Sequence, residues 1–191
     1  MTLWLVRHAQ PLVAPGVCYG RTDMPADADA TRHCAGLLAQ ALPLQTAVMA
    51  SPLQRCEQLR QSLYGLRPDL VFKTDVRLQE MDFGAWEGRA WADIDNAELK
   101  TWTDDFSAYR CGGTGESVAM FMARVAAAFD ALDPAQNTCW LTHAGVIRAS
   151  TLLAGGQRHI TRASQWPRTA PAFGQWVTLG GVVSEPPFPT F

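Results

Sequence analysis

Leu3-Trp4-Leu5-Val6-Arg7-His8 is the stretch from which the fold is read. Four apolar residues stop at a cation and an imidazole. The run is too short for an ordinary helix and reads as a buried strand that carries Arg7 and His8 to its C-terminal end. In open α/β sheets ligands bind outside that end. Two later segments repeat the pattern. Ala47-Val48-Met49-Ala50 is a short apolar run that meets Ser51-Pro52, and Thr138-Cys139-Trp140-Leu141-Thr142 is a strand that ends at His143.

Between the strands the chain supplies helices and loops. Segment 10–29 is rich in Pro, Gly and Ala and reads as a loop; it contains Cys18-Tyr19-Gly20-Arg21-Thr22-Asp23. Ala30, Cys34, Leu37, Leu38 and Ala41 recur at helical spacing, and Pro43 stops that helix. Ser51 as N-cap and Pro52 as first helical residue predict a helix that starts there, with Arg55 in its first turn and Leu53, Cys56, Leu59 and Leu63 on its core face. A strand is expected at 70–73. Segment 85–115 has a weak pattern, many aromatic rings and Gly112-Gly113; short helical pieces are expected at 91–99, and the segment is a candidate lid or binding loop, or else a missed helix. Val118, Phe121, Met122, Val125, Phe129 and Leu132 predict a helix over 116–132. Gly145 opens a further helix that Gly155-Gly156 closes, a last strand is expected at 175–179, and the Pro-rich tail 185–191 is expected to be loose. The alternation of strands and helices is that of a single α/β domain with a largely parallel sheet, spanning 1–191.

Composition narrows the functional classes. The chain has 191 residues, 48% hydrophobic and 18% charged, enough for one globular core. A formal net charge of -2 gives no support to nucleic-acid binding. Only Lys73 and Lys100 are lysines; the other 14 basic residues are arginines, whose forked donors suit phosphate or carboxylate. The five cysteines, Cys18, Cys34, Cys56, Cys111 and Cys139, are odd in number and form no C-x-x-C pair, which suggests buried thiols in a reducing compartment rather than a zinc site or a disulfide framework. No basic leader with a long apolar stretch opens the chain, and no apolar run approaches the roughly 20 residues that span a bilayer. The expectation is a cytoplasmic protein with no membrane or nucleic-acid partner. The oligomeric state stays open, a dimer included.

If the three strands are neighbours, Arg7, His8, Arg55 and His143 converge at one sheet edge. Such a group suits a phosphoryl oxyanion: at an effective dielectric of about 20, each cation about 4 Å from an anion contributes roughly 4 kcal/mol before desolvation, and the guanidinium forks bind two oxygens at once. An imidazole there either binds or attacks phosphorus, and positive neighbours keep it neutral and nucleophilic. The leaving alkoxide then needs a proton, for which Glu80, among Asp82, Phe83 and Trp86, is the candidate general acid. Each part has a plainer rival: ordinary strand-end histidines, a helix-surface cation at Arg55, a solvated loop acid at Glu80, and core packing for the aromatic segment. His33 and His159 read as surface residues.

These segments resemble a known family. Leu5-Val6-Arg7-His8, Ala50-Ser51-Pro52-Leu53-Gln54-Arg55, Leu78-Gln79-Glu80-Met81-Asp82-Phe83-Gly84-Ala85-Trp86-Glu87-Gly88 and Thr142-His143-Ala144-Gly145-Val146-Ile147-Arg148 are similar, in that order, to the motifs of the histidine phosphatase superfamily, the phosphoglycerate-mutase-like group. The resemblance implies a three-layer α/β/α sandwich and no metal or organic cofactor. It makes His8 the phosphorylated nucleophile, Arg7, Arg55 and His143 the rest of the phosphate pocket, and Glu80 the proton donor. It implies a phosphomonoesterase acting on a small phosphorylated metabolite; the alternatives are a mutase-type phosphotransferase, for whose inserted segments the chain lacks room, and a non-catalytic phospho-ligand-binding protein. Within the superfamily, the stretches 18–23 and 80–86 are similar to the alpha-ribazole phosphatase branch of cobalamin synthesis. Two features depart from the family pattern. Ala9 stands where the family has Gly, a substitution that is tolerable if its φ stays negative. The polar residues that often follow are replaced by Pro11, Leu12, Val13 and Ala14, which leaves Gln10, Tyr19 or Arg21 as candidates to contact substrate.

Overall fold

Strand β1 (Leu3–Arg7) lies inside a five-stranded sheet, between β4 (Thr138–Thr142) and β5 (Trp176–Leu179). With β2 (Ala47–Ala50) and β3 (Val71–Thr74) the order is β3-β2-β4-β1-β5. Strands β1 to β4 run parallel, and β5 pairs antiparallel with β1 at the edge. The computed structural model describes residues 1–180, so the expected loose tail at 185–191 lies outside the described residues.

Alternation along β1 explains the layers. Trp4 and Val6 face a core with Leu38, Leu59 and Leu63, which belong to helices α1 (Ala28–Ala41) and α2 (Gln54–Leu66). Leu3 and Leu5 face the opposite core, with Phe121 and Val125 of helix α4 (Val118–Phe129) and Val146 and Ile147 of α5 (Ala144–Ala154). A strand buried on both faces needs an unbroken apolar run, which is why Leu3-Trp4-Leu5-Val6 shows no polar alternation. The result is the expected α/β/α sandwich with a mostly parallel sheet.

Two helix starts differ from the expectation. Helix α2 begins at Gln54, not at Ser51-Pro52. Ser51 instead prolongs the sheet: its amide donates to the Leu141 carbonyl at 3.0 Å, and its hydroxyl meets His143 Nε2 at 2.8 Å. Tertiary contacts therefore outbid the local capping signal, and Arg55 still falls in the first turn. Helix α4 is also shorter than 116–132. Ser117 caps it by accepting from the Met120 amide, which leaves Glu116 outside the helix, paired with Arg124 at 2.7 Å.

The aromatic segment is folded onto the α4–α5 core. It contains short 3₁₀ turns at Gly84–Trp86 and Trp91–Asp93 and the helix α3 (Asn96–Asp104). Trp86 is fully buried, stacked on Tyr109 with ring centroids 6.1 Å apart and edge-on to Trp102 at 5.5 Å. Rings in such offset and edge-to-face pairs hold an irregular backbone in place without a long helix. All five cysteines are buried and unpaired, as expected. Among the described residues no three His, Cys, Asp or Glu side chains gather to hold a metal, and no helix is long and apolar enough to cross a membrane.

Candidate active site

The parallel register brings three strand ends to one edge. Arg7 of β1 lies opposite Thr142 of β4, and Leu141 lies opposite Ala50 of β2. The ladder continues past each strand: the His8 amide donates to the Thr142 carbonyl at 3.0 Å. His8, Ser51 and His143 therefore emerge side by side, and all three are buried. The two imidazoles meet edge to face with centroids 5.1 Å apart.

Their protonation follows from the neighbours. His8 Nδ1 is 2.7 Å from the Ala9 carbonyl oxygen, which can only accept, so Nδ1 carries the proton and Nε2 keeps a free lone pair. Burial, aided by the Arg55 and Arg7 guanidiniums, pushes the His8 imidazole from 6.5 to about 3, and the Ala9 carbonyl offsets part of this. The expectation put the positive neighbours first; burial is the larger cause. In His143 the tautomer is reversed. Arg55 Nε donates to His143 Nδ1 at 3.3 Å, so Nε2 bears the hydrogen and donates to the Ser51 hydroxyl. Burial, then Arg55 and His8, hold this imidazole well below its ordinary value. Both rings are neutral at pH 7.

Arg55 is completely buried, so it is not a helix-surface cation. Its terminal nitrogens donate to the carbonyls of Thr22 at 2.9 Å and Gly20 at 2.6 Å. Arg7 donates to the Pro171 carbonyl at 3.1 Å and lies 3.7 Å over the Phe173 ring, and its Nε is buried without a partner. The charge of both guanidiniums is thus met by carbonyls and rings. Cations held this way attract an oxyanion more strongly than cations already neutralised by a carboxylate.

Glu80 reaches the same edge from the loop after β3. Its Oε2 accepts from the Gly145 amide in the first turn of α5, and its Oε1 accepts from the Met81 amide, both at 3.0 Å. Its contacts therefore differ from the expected Asp82 and Trp86: Asp82 accepts from the Gly84 amide, and Trp86 is inside the aromatic core. Two anchors hold the loop. The Thr142 hydroxyl donates to the Leu78 carbonyl at 2.8 Å, and Arg124 donates to the carbonyls of Arg77 at 2.8 Å and Gln79 at 3.0 Å.

The three substrate-contact candidates separate. Tyr19 is within hydrogen-bonding reach of Arg7, with the Arg55 guanidinium 5.7 Å over its ring. Arg21 points to the rim, where it pairs with Asp82 at 3.4 Å. Gln10 is exposed, and its carbonyl serves the loop by accepting from the Asp27 amide at 2.8 Å. Ala9 is buried, and Gln45 is the only non-glycine among the described residues with a positive φ, so the Gly-to-Ala departure carries no backbone strain. Sequence reasoning missed Phe173, whose ring touches both Arg7 and His8, the latter at 5.5 Å between centroids. It lies in an irregular loop, where no periodicity marks it. Sequence reasoning also missed the roles of Ser51 and Arg124, which local patterns assign to a cap and to a helix surface.

Comparisons with known proteins bear on the family and the fold. The sequence profile of the histidine phosphatase superfamily (branch 1) matches residues 3–170. The crystal structure of TTHB049 from Thermus thermophilus is similar, with 28% identity over 94% of this chain and 93% of that one and a TM-score of 0.69. An Escherichia coli protein proposed to be an alpha-ribazole-5'-P phosphatase shares 23% identity over 93% and 89%, with a TM-score of 0.76. A mycobacterial glucosyl-3-phosphoglycerate phosphatase shares 23% over 96% and 92%, with a TM-score of 0.73. The last two likenesses concern the fold. No curated protein matches the chain significantly.

Proposed function

The chain belongs to the histidine phosphatase superfamily, and from that premise we propose that it is a metal-independent phosphomonoesterase working through a phosphohistidine on His8. The observation that carries the proposal is the convergence of His8, His143, Arg7 and Arg55 on one sheet edge, with the unprotonated Nε2 of His8 near the buried Arg55 and the half-buried Arg7. Nε2 attacks phosphorus, the phosphorus–oxygen bond to the alcohol breaks, and Glu80 donates the proton that the alkoxide takes up. Water then attacks the phosphohistidine, giving a proton to Glu80; the phosphorus–nitrogen bond breaks and phosphate leaves. Arg7 and Arg55 balance the charge of the transferring group, and the Ala9 carbonyl holds the His8 Nδ1 proton through both steps.

The substrate is a small phosphorylated metabolite. Alpha-ribazole 5'-phosphate is the first to test, on the likeness of stretches 18–23 and 80–86 and on the Escherichia coli fold neighbour. The test is turnover of phosphomonoesters in excess EDTA together with trapping of acid-labile phosphate. Labelling that disappears in His8→Ala supports the reading. Labelling that persists in that variant removes His8 from the role. Ligand-induced stabilisation without turnover of any phosphoester indicates a binding protein instead.

A further inference from the structure

A single peptide group stands between Arg55 and a carboxylate. The Gly20 carbonyl accepts from Arg55 Nη2 at 2.6 Å, and the N–H of the same peptide unit, that of Arg21, donates to Glu87 Oε1 at 2.9 Å. Guanidinium, peptide and carboxylate thus form one chain of charge-assisted hydrogen bonds, in which the peptide dipole has its negative end toward the cation and its positive end toward the anion. Glu87 has three further donors. Its Oε2 accepts from the Thr22 amide at 2.6 Å and from the Thr22 hydroxyl, and its Oε1 accepts from the Phe83 amide at 3.0 Å. Among the described residues no arginine or lysine pairs with it. Burial raises the Glu87 carboxyl, but the bonds from Thr22, Phe83 and Arg21 outweigh burial and hold the group below its ordinary value.

A half-buried carboxylate without a cation is costly, and a buried guanidinium without an anion is costlier. Segment 20–22 relieves both. Its carbonyls at Gly20 and Thr22 face Arg55, and its amides at Arg21 and Thr22 face Glu87. A carboxylate bonded directly to Arg55 would fill the donors that a phosphoryl group needs. With the peptide between them, three of the five guanidinium N–H groups are taken, by Gly20, Thr22 and His143, and each terminal nitrogen keeps one free. We propose that Glu87 is a positioning residue of the enzyme: through the Gly20–Arg21 peptide it balances and orients the Arg55 guanidinium for the transferring phosphoryl group. It acts only through that peptide and is not itself in the phosphate pocket. This rests on the phosphatase reading above and adds a residue to its machinery.

The test is Glu87→Gln, which keeps the size of the side chain and removes its charge. Steady-state kinetics on ethyl phosphate and p-nitrophenyl phosphate are measured in the parent and in Arg55→Lys, each with and without the substitution. In the parent background kcat is expected to fall by about 10- to 100-fold, to the same extent on both esters within about threefold, because Arg55 meets the transferring group and not the leaving oxygen. KM is expected to stay within about threefold, since the cation remains. In Arg55→Lys, whose ammonium lacks the planar fork that spans both carbonyls, Glu87→Gln should cost no more than about twofold further. Because the variants can weaken the fold, the parent is also followed by NMR: inorganic phosphate at saturation is expected to shift the Arg21 amide, at the far end of the Arg55 peptide, and to leave the Lys100 amide of α3 in place. A Glu87→Gln enzyme with parental kcat overturns this inference alone. A loss of equal size in both backgrounds does the same, since it assigns Glu87 to folding only, and so does an Arg21 amide that phosphate leaves unmoved. No turnover of either ester by the parent overturns the phosphatase reading, and this inference falls with it.

Discussion

Gly145→Ala separates the chemistry from the fold. Gly145 is the second residue of α5, in helical backbone, where Ala is favoured over Gly by about 0.5–1 kcal/mol. A Cβ there would lie 3.0 Å from the Glu80 carboxyl carbon and well inside van der Waals contact of Oε1. The colliding atoms are the end of a flexible side chain, so the carboxyl swings away and the backbone stays. The displaced Oε2 loses its bond from the Gly145 amide, a contact worth about 1.5–3 kcal/mol at most and partly replaced by water. The two terms oppose each other, and the melting temperature is expected to stay within about 4 °C of the parent. Catalysis has no such compensation. If Glu80 is the acid, kcat on an alkyl phosphate falls by about 10²- to 10⁴-fold, as in Glu80→Gln, and by less on p-nitrophenyl phosphate, whose leaving group needs less protonation. The double variant should be no worse than either single one, because both remove the same function. The assay is steady-state hydrolysis of both esters beside thermal unfolding. A Gly145→Ala enzyme with parental activity on the alkyl ester refutes the reasoning, and so does an equal loss on both esters.

Three further outcomes are expected. His8 falls from 6.5 in the unfolded chain to about 3 in the fold, so between those values the unfolded chain binds a proton that the folded one does not; His143 acts in the same direction. Stability should therefore drop as pH falls through 6.5 and show no contribution from these rings above it, and denaturant midpoints between pH 6.5 and 4.5 should decline less steeply in His8→Gln. Arg124→Ala removes the donor to the carbonyls that hold the Glu80 loop and takes from Glu116 its cation, leaving it the Asp82 amide; a loss of about 2–4 kcal/mol in chemical denaturation is expected, and a loss below about 1 would show that the loop does not depend on it. Gly20→Ala would bring a methyl into the Met81 carbonyl and to 2.7 Å from a Phe83 ring carbon; backbone cannot yield as a side chain does, so about 2–4 kcal/mol of stability should be lost together with the Arg55 anchor, measured as reduced melting temperature and activity.

The sequence by itself determined the sheet and its chemistry-bearing ends. An apolar run buried on both faces leaves no polar alternation, so Leu3-Trp4-Leu5-Val6 and Thr138-Cys139-Trp140-Leu141 are legible as central strands, and the residues that follow them must lie at their C-terminal ends. Four ordered motifs then pointed to the family that the profile match shows. What the tertiary structure alone decided is whatever depends on partners distant in the chain. Ser51 has a good capping side chain, but a neighbouring strand and an imidazole 92 residues away claim it, and the helix starts later. The tautomers of His8 and His143 follow from a carbonyl and a guanidinium that no local pattern places beside them. Phe173 comes from an irregular loop, where contacts are set by packing and periodicity carries no signal. Local periodicity encodes which face of an element is buried; which side chains meet across the site is a property of the packed elements, and that only the fold supplies.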